Sequence, residues 1–329
     1  MIFKVPILTM MAALLAVPVR APASGSPPAP LTSHRNSIAL INWARIESLN
    51  LRWLERDKRL ELSSHNSRFV FEINSCQARV NGVGVRLSFP PTLQNGTVMI
   101  SPVDLNQTLL PLLKPAQARP GRTITTICLD PGHGGKDPGE HLGGRLEKSC
   151  TLQLARELRE QLLKAGFKVI LTRTSDTTMD LTTRTELARR RQADLFLSLH
   201  FNSSPEARSD VRGIETYCLT PAGARSSNTA AGQTGDTRIL PANRNNSASL
   251  RLAYLTQKKL VQQLGAEDRG VKRARYEVLR EAEMPAILIE GGFLSHPTEG
   301  KKIFEPAYRK QMAQAILQGV VAYQRGDNS

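Results

Sequence analysis

Three apolar runs in this chain each stop at a residue that can bind a metal ion or move a proton: Thr-Ile-Cys-Leu-Asp-Pro-Gly-His133, Leu-Phe-Leu-Ser-Leu-His200 and Ala-Ile-Leu-Ile-Glu290. A fourth such residue, Glu147, opens the segment after the first run, in Gly-Gly-Arg-Leu-Glu-Lys. The intervening stretch, residues 132–144, is rich in glycine, so the backbone can fold tightly and return Glu147 toward His133. Two histidines and one carboxylate suit Zn²⁺, and three protein ligands leave a coordination position open, as a catalytic site requires. Taken singly, a histidine at a strand end is ordinarily structural and a glutamate at a helix start is ordinarily a dipole partner. The coincidence of position argues otherwise. Among the remaining histidines, His34 and His65 lie near the N-terminal region, His296 sits beside Pro297, and His141 in the glycine-rich loop is the one rival ligand.

These residues need elements to position them. From Thr123 onward, strand-like runs at 125–129, 169–172, 195–199, 214–219 and 286–289 alternate with helical patterns. Leu152, Ala155, Leu158, Leu162 and Ala165 recur at helical spacing, with Gly166 placed to end the helix. Thr183-x-x-Glu186 reads as a capping box, and further helices are expected over 248–264 and 306–323. Alternation of this kind predicts an α/β fold, a mostly parallel sheet with helices on both faces, over residues 123–326. In open α/β sheets ligands bind beyond the carboxyl ends of strands, so His133, His200 and Glu290 can share one crevice. Residues 221–247 carry few apolar side chains and read as a mobile loop.

The N-terminal part is organised differently. Residues 1–23 show Lys4, an apolar stretch from Val5 to Val19 and Ala21-Pro22-Ala23, the pattern of a signal peptide; the apolar run is shorter than the roughly 20 residues of a spanning anchor. Export to the periplasm, cell wall or medium follows, with no stable membrane insertion after cleavage. A Pro/Ser/Ala lead-in over 24–35 precedes a small α+β domain over 37–113, with strands near 60–63, 69–73, 83–87 and 97–100, Asn81-Gly82 and Asn95-Gly96 turns, and helices over 38–49 and 103–113. Residues 115–121 read as a linker. Cys76, Cys128, Cys150 and Cys218 match no CxxC pattern and read as free, mostly buried thiols. The chain carries a net charge of +15, and loss of Lys4 and Arg20 with the signal leaves +13. Such a balance favours anionic surroundings. With 5% aromatic residues and scattered basic ones, base-stacking platforms are not visible, so nucleic acid is not an expected partner.

Two resemblances sharpen this reading. VNGVGVRLSFPP and NGTVMISPVDLNQTLLPLL resemble the copper amine oxidase N-terminal-like domain of bacterial envelope proteins, although no His or Cys cluster there would hold copper. DPGHGGKDPG, GGRLEK, TRTSD, ADLFLSLHFNSS, GIETY and GVKRARYEVLREAEMPAILIEGGFLS resemble the zinc-dependent N-acetylmuramoyl-L-alanine amidases of the amidase type 3 family, over residues 124–325. That resemblance implies zinc bound by His133, Glu147 and His200, Glu290 as the catalytic glutamate, and hydrolysis of the amide between N-acetylmuramic acid and L-alanine in peptidoglycan. Leu146 and His296 depart from the usual pattern.

Around this set, Arg173 is expected either to meet a substrate carboxylate or to pair with Asp176, and Asn202 to orient the His200 loop or touch the glycan. Asp137 and Glu140 are expected to be solvated loop carboxylates. Some relatives carry a helix that plugs the zinc cleft; 221–247 lacks the amphipathic face for one, so activator dependence is not expected to arise there. Rival readings are a catalytically inactive wall-binding protein of the same fold, and a zinc hydrolase for another amide such as an acetylated sugar.

Overall fold

The computed structural model describes residues 37–115, 123–142, 144–204, 210–229 and 235–327. The expected signal peptide, the lead-in and nearly all of the 115–121 linker lie outside the described residues. Eleven strands form one sheet: β1 (Asn50–Glu55), β2 (Arg59–Ser63), β3 (Arg68–Glu72), β4 (Gln77–Val80), β5 (Val83–Arg86), β6 (Thr126–Pro131), β7 (Lys168–Leu171), β8 (Leu195–Asn202), β9 (Ile214–Leu219), β10 (Asp268–Ala274) and β11 (Ala286–Phe293). Their spatial order is β7-β6-β8-β11-β9-β10-β5-β4-β3-β2-β1. Pairing is parallel from β7 to β11, antiparallel between β11 and β9, and parallel again between β9 and β10.

Alternation along each strand decides which face it buries. In β6, Ile127 and Leu129 enter the main core, whereas Cys128 enters a second core on the opposite face. Helix α1 (Leu40–Ile46) buries Leu40, Trp43 and Ala44 in the main core. Helices α2 (Glu147–Lys164), α4 (Asn246–Leu264) and α7 (Pro306–Arg325) cover the same face; α3 (Leu181–Arg190) and α5 (Glu277–Arg280) cover the other, and α6 (Glu299–Ile303) is a short helix after β11. α2 ends at Lys164, with Gly166 at φ +89° just past it, so the expected stop is where the helix terminates.

The N-terminal strands β1 to β5 form an antiparallel meander. Asn81 and Gly82 both adopt positive φ, 46° and 87°, the turn geometry that matches strand twist in a two-residue hairpin. Phe69 and Phe71 are fully buried and join the same core as Leu250 and Tyr254 of α4, each phenylalanine contributing about 1.5–3 kcal/mol. β5 pairs with β10 at Val85 and Val271, and Tyr254 Oη donates to Val80 O at 2.9 Å. The region read from sequence as a separate small domain thus shares one sheet and one core with the rest. Its strand at Thr97–Ile100 stands apart, pairing with Ile38–Ala39 and Thr92–Gln94 in a small second sheet.

Other expectations need correction. The capping box at Thr183 does not form: the helix starts earlier, at Leu181, with Asp180 extended at φ −62° and ψ 147° before it, so Thr183 is already helical. β10 is missing from the expected strands, because Asp-Arg-Gly-Val-Lys-Arg-Ala has no apolar alternation. The described parts of 221–247 are anchored: Ala224 and Ala242 are buried, and Arg275 Nη2 donates to Asp236 O and Arg238 O at 2.8 and 3.1 Å. Cys128, Cys150 and Cys218 are buried and Cys76 half-buried, all as free thiols. Among the described residues, no helix is long and apolar enough to cross a membrane.

Candidate metal centre

The carboxyl end of β6 is braced before it reaches His133. Asp130, fully buried, accepts from Thr172 Oγ1 (2.6 Å), Ser198 Oγ (2.8 Å) and Arg184 Nη1 (2.8 Å), which ties the end of β7, the middle of β8 and α3 to one carboxylate of β6. Arg184 Nη2 also donates to His133 O at 3.0 Å, and Gly132 N donates to Leu199 O at 3.0 Å. His133 is held at φ +61°, a left-handed conformation that non-glycine residues adopt at a cost.

Arg173 belongs to this brace. It is 3% exposed, and it donates to Pro131 O (3.0 Å), Gly132 O (2.8 Å) and Lys148 O (2.8 Å). These carbonyls occupy the guanidinium, and among the described residues no ion pair joins Arg173 to Asp176. Lys148 takes that carboxylate instead, at 2.7 Å.

Glu147 is the first residue of α2 and is 2% exposed. Its Oε2 lies 3.0 Å from His133 Nε2 and its Oε1 lies 3.2 Å from His200 Nδ1. The two rings meet edge to face with centroids 5.0 Å apart. Backbone N–H groups of Glu140 (2.9 Å) and Phe201 (3.0 Å) fix the carboxylate from behind. Burial opposes its ionisation, but the two imidazoles outweigh burial and hold its pKa well below the usual carboxylate range. Burial likewise disfavours a charged His133, and Glu147 and Asp137 outweigh it to raise that pKa.

The donor set fits a small divalent ion. One atom from each of His133, Glu147 and His200 lies within 4.8 Å of the others. Ligands about 2.0–2.1 Å from a tetrahedral ion sit about 3.3 Å apart, close to the 3.0 and 3.2 Å observed here. Space is reserved for these side chains by glycines: a Cβ at Gly132 would overlap the His200 ring, and one at Gly139 would stand 2.5 Å from Glu147 Oε2. His141 is exposed and outside the group, as is His65. His296 is buried, and its Nδ1 accepts from Glu299 N at 3.1 Å, so it caps α6.

Asp137 does more than the solvated loop carboxylate expected of it. Its Oδ2 stands 2.8 Å from His133 Nδ1, which leaves Nε2 directed at Glu147. A carboxylate on the far nitrogen of a ligating histidine fixes its tautomer and orientation. The signal in the sequence is a four-residue spacing within a tight loop. Glu140, by contrast, contributes its backbone to Glu147, while its side chain is exposed.

Glu290 lies on β11 in register with His200 on β8. Its Oε2 is buried and accepts no hydrogen bond among the described residues. Burial, then the charges of Glu147 and Glu215, push its pKa well above the carboxylate range. On its other side, in register on β9, is Glu215. This second buried carboxylate accepts from Asn202 Nδ2 (2.7 Å), Tyr217 Oη (2.9 Å), Arg269 Nε (3.1 Å) and Lys272 Nζ. Asn202 is thus tied to Glu215, which anchors the chain two residues beyond His200.

Residues 127–322 match the family described as N-acetylmuramoyl-L-alanine amidase. Amidase LytC of Bacillus subtilis is 36% identical over 61% of this chain and 36% of its own length, and amidase AmiC of Neisseria meningitidis is 36% identical over 70% of this chain and 59% of its own length. The chain therefore spans about a third to three fifths of these curated relatives. Among solved structures, an N-acetylmuramoyl-L-alanine amidase from Clostridium difficile 630 has a TM-score of 0.52 and 34% identity, covering 63% of this chain and all of that one. AmiC2 of Nostoc punctiforme has a TM-score of 0.51 and 31% identity, covering 61% of this chain and 97% of that one. With its matched region containing every residue of the His133–Glu147–His200 group and Glu290, the chain belongs to the N-acetylmuramoyl-L-alanine amidase family.

Proposed function

We propose that this chain is an exported, zinc-dependent N-acetylmuramoyl-L-alanine amidase, which hydrolyses the amide between N-acetylmuramic acid and L-alanine in peptidoglycan. The observation that carries the reading is the convergence of His133, Glu147 and His200 next to a buried, unpartnered carboxylate oxygen of Glu290. In this reading residues 1–23 are removed on export to the periplasm or cell wall, and 123–326 carry the chemistry.

An amide is a poor electrophile with a poor leaving group. Zn²⁺, when bound, supplies Lewis acidity: it makes a water molecule more acidic and draws electron density from a carbonyl. His133, Glu147 and His200 hold the ion, and Asp137 keeps the His133 proton on Nδ1. Glu290 takes a proton from the attacking water as its oxygen bonds to the carbonyl carbon. It then passes that proton to the L-alanine nitrogen as the carbon–nitrogen bond breaks.

Glu290→Ala is expected to keep its metal and fold while losing about 10²–10⁴-fold in turnover; His133→Ala is expected to lose metal as well. Metal analysis beside mass spectrometry of released fragments checks both. L-alanine peptides with freed lactyl ends support the amidase, acetate release would mean a deacetylase, and full activity in Glu290→Ala would remove that residue from the mechanism.

A further inference from the structure

β10 and the N-terminal strands enclose a cleft of about 560 Å³ that the amidase reading does not use. Strand alternation places it. Val85, Val80, Phe71 and Val271 turn into the main core, so Arg86, Arg79, Glu72 and Lys272 turn to the opposite face, where Glu215 and Tyr217 also lie. In the catalytic half that face is covered by α3 and α5; across β2 to β5 its side chains Arg59, Glu72 and Arg79 are exposed.

Five cations line this cleft: Arg59, Arg79, Arg86, Arg269 and Lys272. Lys272 and Arg269 are committed to Glu215. Arg59 and Arg86 form no ion pair or side-chain hydrogen bond among the described residues, and Arg79 reaches only Gly82 O at 2.8 Å and Asp268 at 3.6 Å. Among the acids, Asp268 accepts from Gly84 N (2.6 Å), Gln257 Nε2 (2.9 Å) and Gly270 N (3.0 Å), Glu267 pairs with Arg212 at 3.4 Å, and Glu72 is exposed in register with Arg59. Five lining cations against three lining acids leave a positive surplus.

Position relates the cleft to the metal centre. Strands lie about 4.8 Å apart, so β10 stands about 10 Å and β5 about 14 Å from β11 and Glu290. An extended peptide rises about 3.3 Å per residue, so groups about three or four residues beyond a scissile amide at Glu290 arrive at this cleft. We propose that the cleft binds the free carboxylates of the peptidoglycan stem peptide, through Arg86 and Arg59 with Arg79, and so makes the N-terminal strands part of substrate recognition. The identity of the peptide rests on the amidase reading; the binding of a peptide carboxylate does not.

The test uses the whole chain and two probes, L-alanyl-γ-D-glutamyl-L-lysine and the same tripeptide with its free carboxylates amidated. Calorimetric titration is expected to show the acid form binding the unaltered protein at least about tenfold more tightly than the amide, in a salt-sensitive way. The R59E/R86E variant is expected to lose that difference, while R59K/R86K retains most of it. Thermal melting of each variant checks that the substitutions leave the fold intact. Equal binding of acid and amide by the unaltered protein, or an undiminished difference in R59E/R86E, would overturn the proposal, as would a polyphosphate that binds more tightly than the acid tripeptide at equal charge. Release of L-alanine peptides from peptidoglycan, assayed separately, tests the amidase reading: release without Arg86-dependent binding sinks the cleft alone, and Arg86-dependent binding without release sinks the amidase alone.

Discussion

Glu147 and Glu215 are buried to the same degree, each 2% exposed, and both sit beside the end of β8, yet their partners differ in kind. Glu147 faces two imidazoles and two backbone N–H groups. Glu215 faces an ammonium, a guanidinium, a phenol and an amide. Imidazole can shed its proton and offer a lone pair, whereas Lys and Arg side chains only donate. The first cluster can therefore exchange protons for a divalent ion. The second has only donors around its carboxylate and serves to hold β8, β9 and β10 together beside Glu290. A buried carboxylate says little about function until the protonation chemistry of its partners is known.

Substituting the two acids in parallel breaks the comparison most directly. Glu147→Gln is expected to lose its metal and at least about a thousandfold in peptide release, equivalent to about 4 kcal/mol of transition-state stabilisation. Glu215→Gln is expected to keep its metal but lose about 3–5 kcal/mol of stability, because Lys272 and Arg269 would be left as uncompensated cations. Metal analysis and urea unfolding of both variants decide the matter. Metal loss in Glu215→Gln, with an unaltered unfolding midpoint, would reverse the assignment.

A third carboxylate sharpens the rule. Asp104 is fully buried and accepts from the backbone N–H groups of Ser88 (2.7 Å) and Phe89 (3.0 Å). These bonds do not offset burial, which pushes its pKa up from 3.8 to about 6. The folded state then binds this proton more tightly than the unfolded chain does. Its contribution to stability is complete below about pH 4 and is lost as pH rises through about 6, a change of about 3 kcal/mol. Glu147, with its lowered pKa, acts in the opposite sense, so the difference between the unaltered protein and Asp104→Asn isolates the contribution. Unfolding free energies at pH 4 and pH 7 should show a smaller spread from this source in the variant; an identical spread would mean that Asp104 is charged at pH 4.

Much of the candidate metal site was legible because the residues that converge there are marked locally: His133 and His200 each follow an apolar strand, and Glu147 follows a glycine-rich return. The mostly parallel half of the sheet was legible for the same reason. Arg173, Glu215 and β10 were not. Arg173 reads in sequence as the partner of a substrate carboxylate or of Asp176, and only the path of the 131–148 backbone shows that its donors are taken by carbonyls. Lys272 and Arg269 make β10 look like a charged loop, because the carboxylate they share, Glu215, lies more than fifty residues away in sequence. Partners remote in sequence turn an unpromising polar segment into a central strand, and no local pattern encodes them.

The smallest expected effect concerns Asp137, whose side chain is 59% exposed and whose leverage on His133 is therefore reduced by solvent. Carboxylates in this position typically change metal affinity about 10–100-fold when removed, and exposure argues for the lower end, about tenfold. Asp137→Ala should weaken zinc binding in a competition assay by that amount, while Asp137→Asn, whose carbonyl can still accept from Nδ1–H, should recover most of it. Such a pattern would fix the proton on Nδ1 and the ligating lone pair on Nε2, which points at Glu147 across 3.0 Å. If both variants bound zinc as tightly as the unaltered protein, the left-handed backbone at His133 and the Arg184 bond to its carbonyl would suffice to aim the ring, and the orienting role would pass from the loop carboxylate to the brace beneath it.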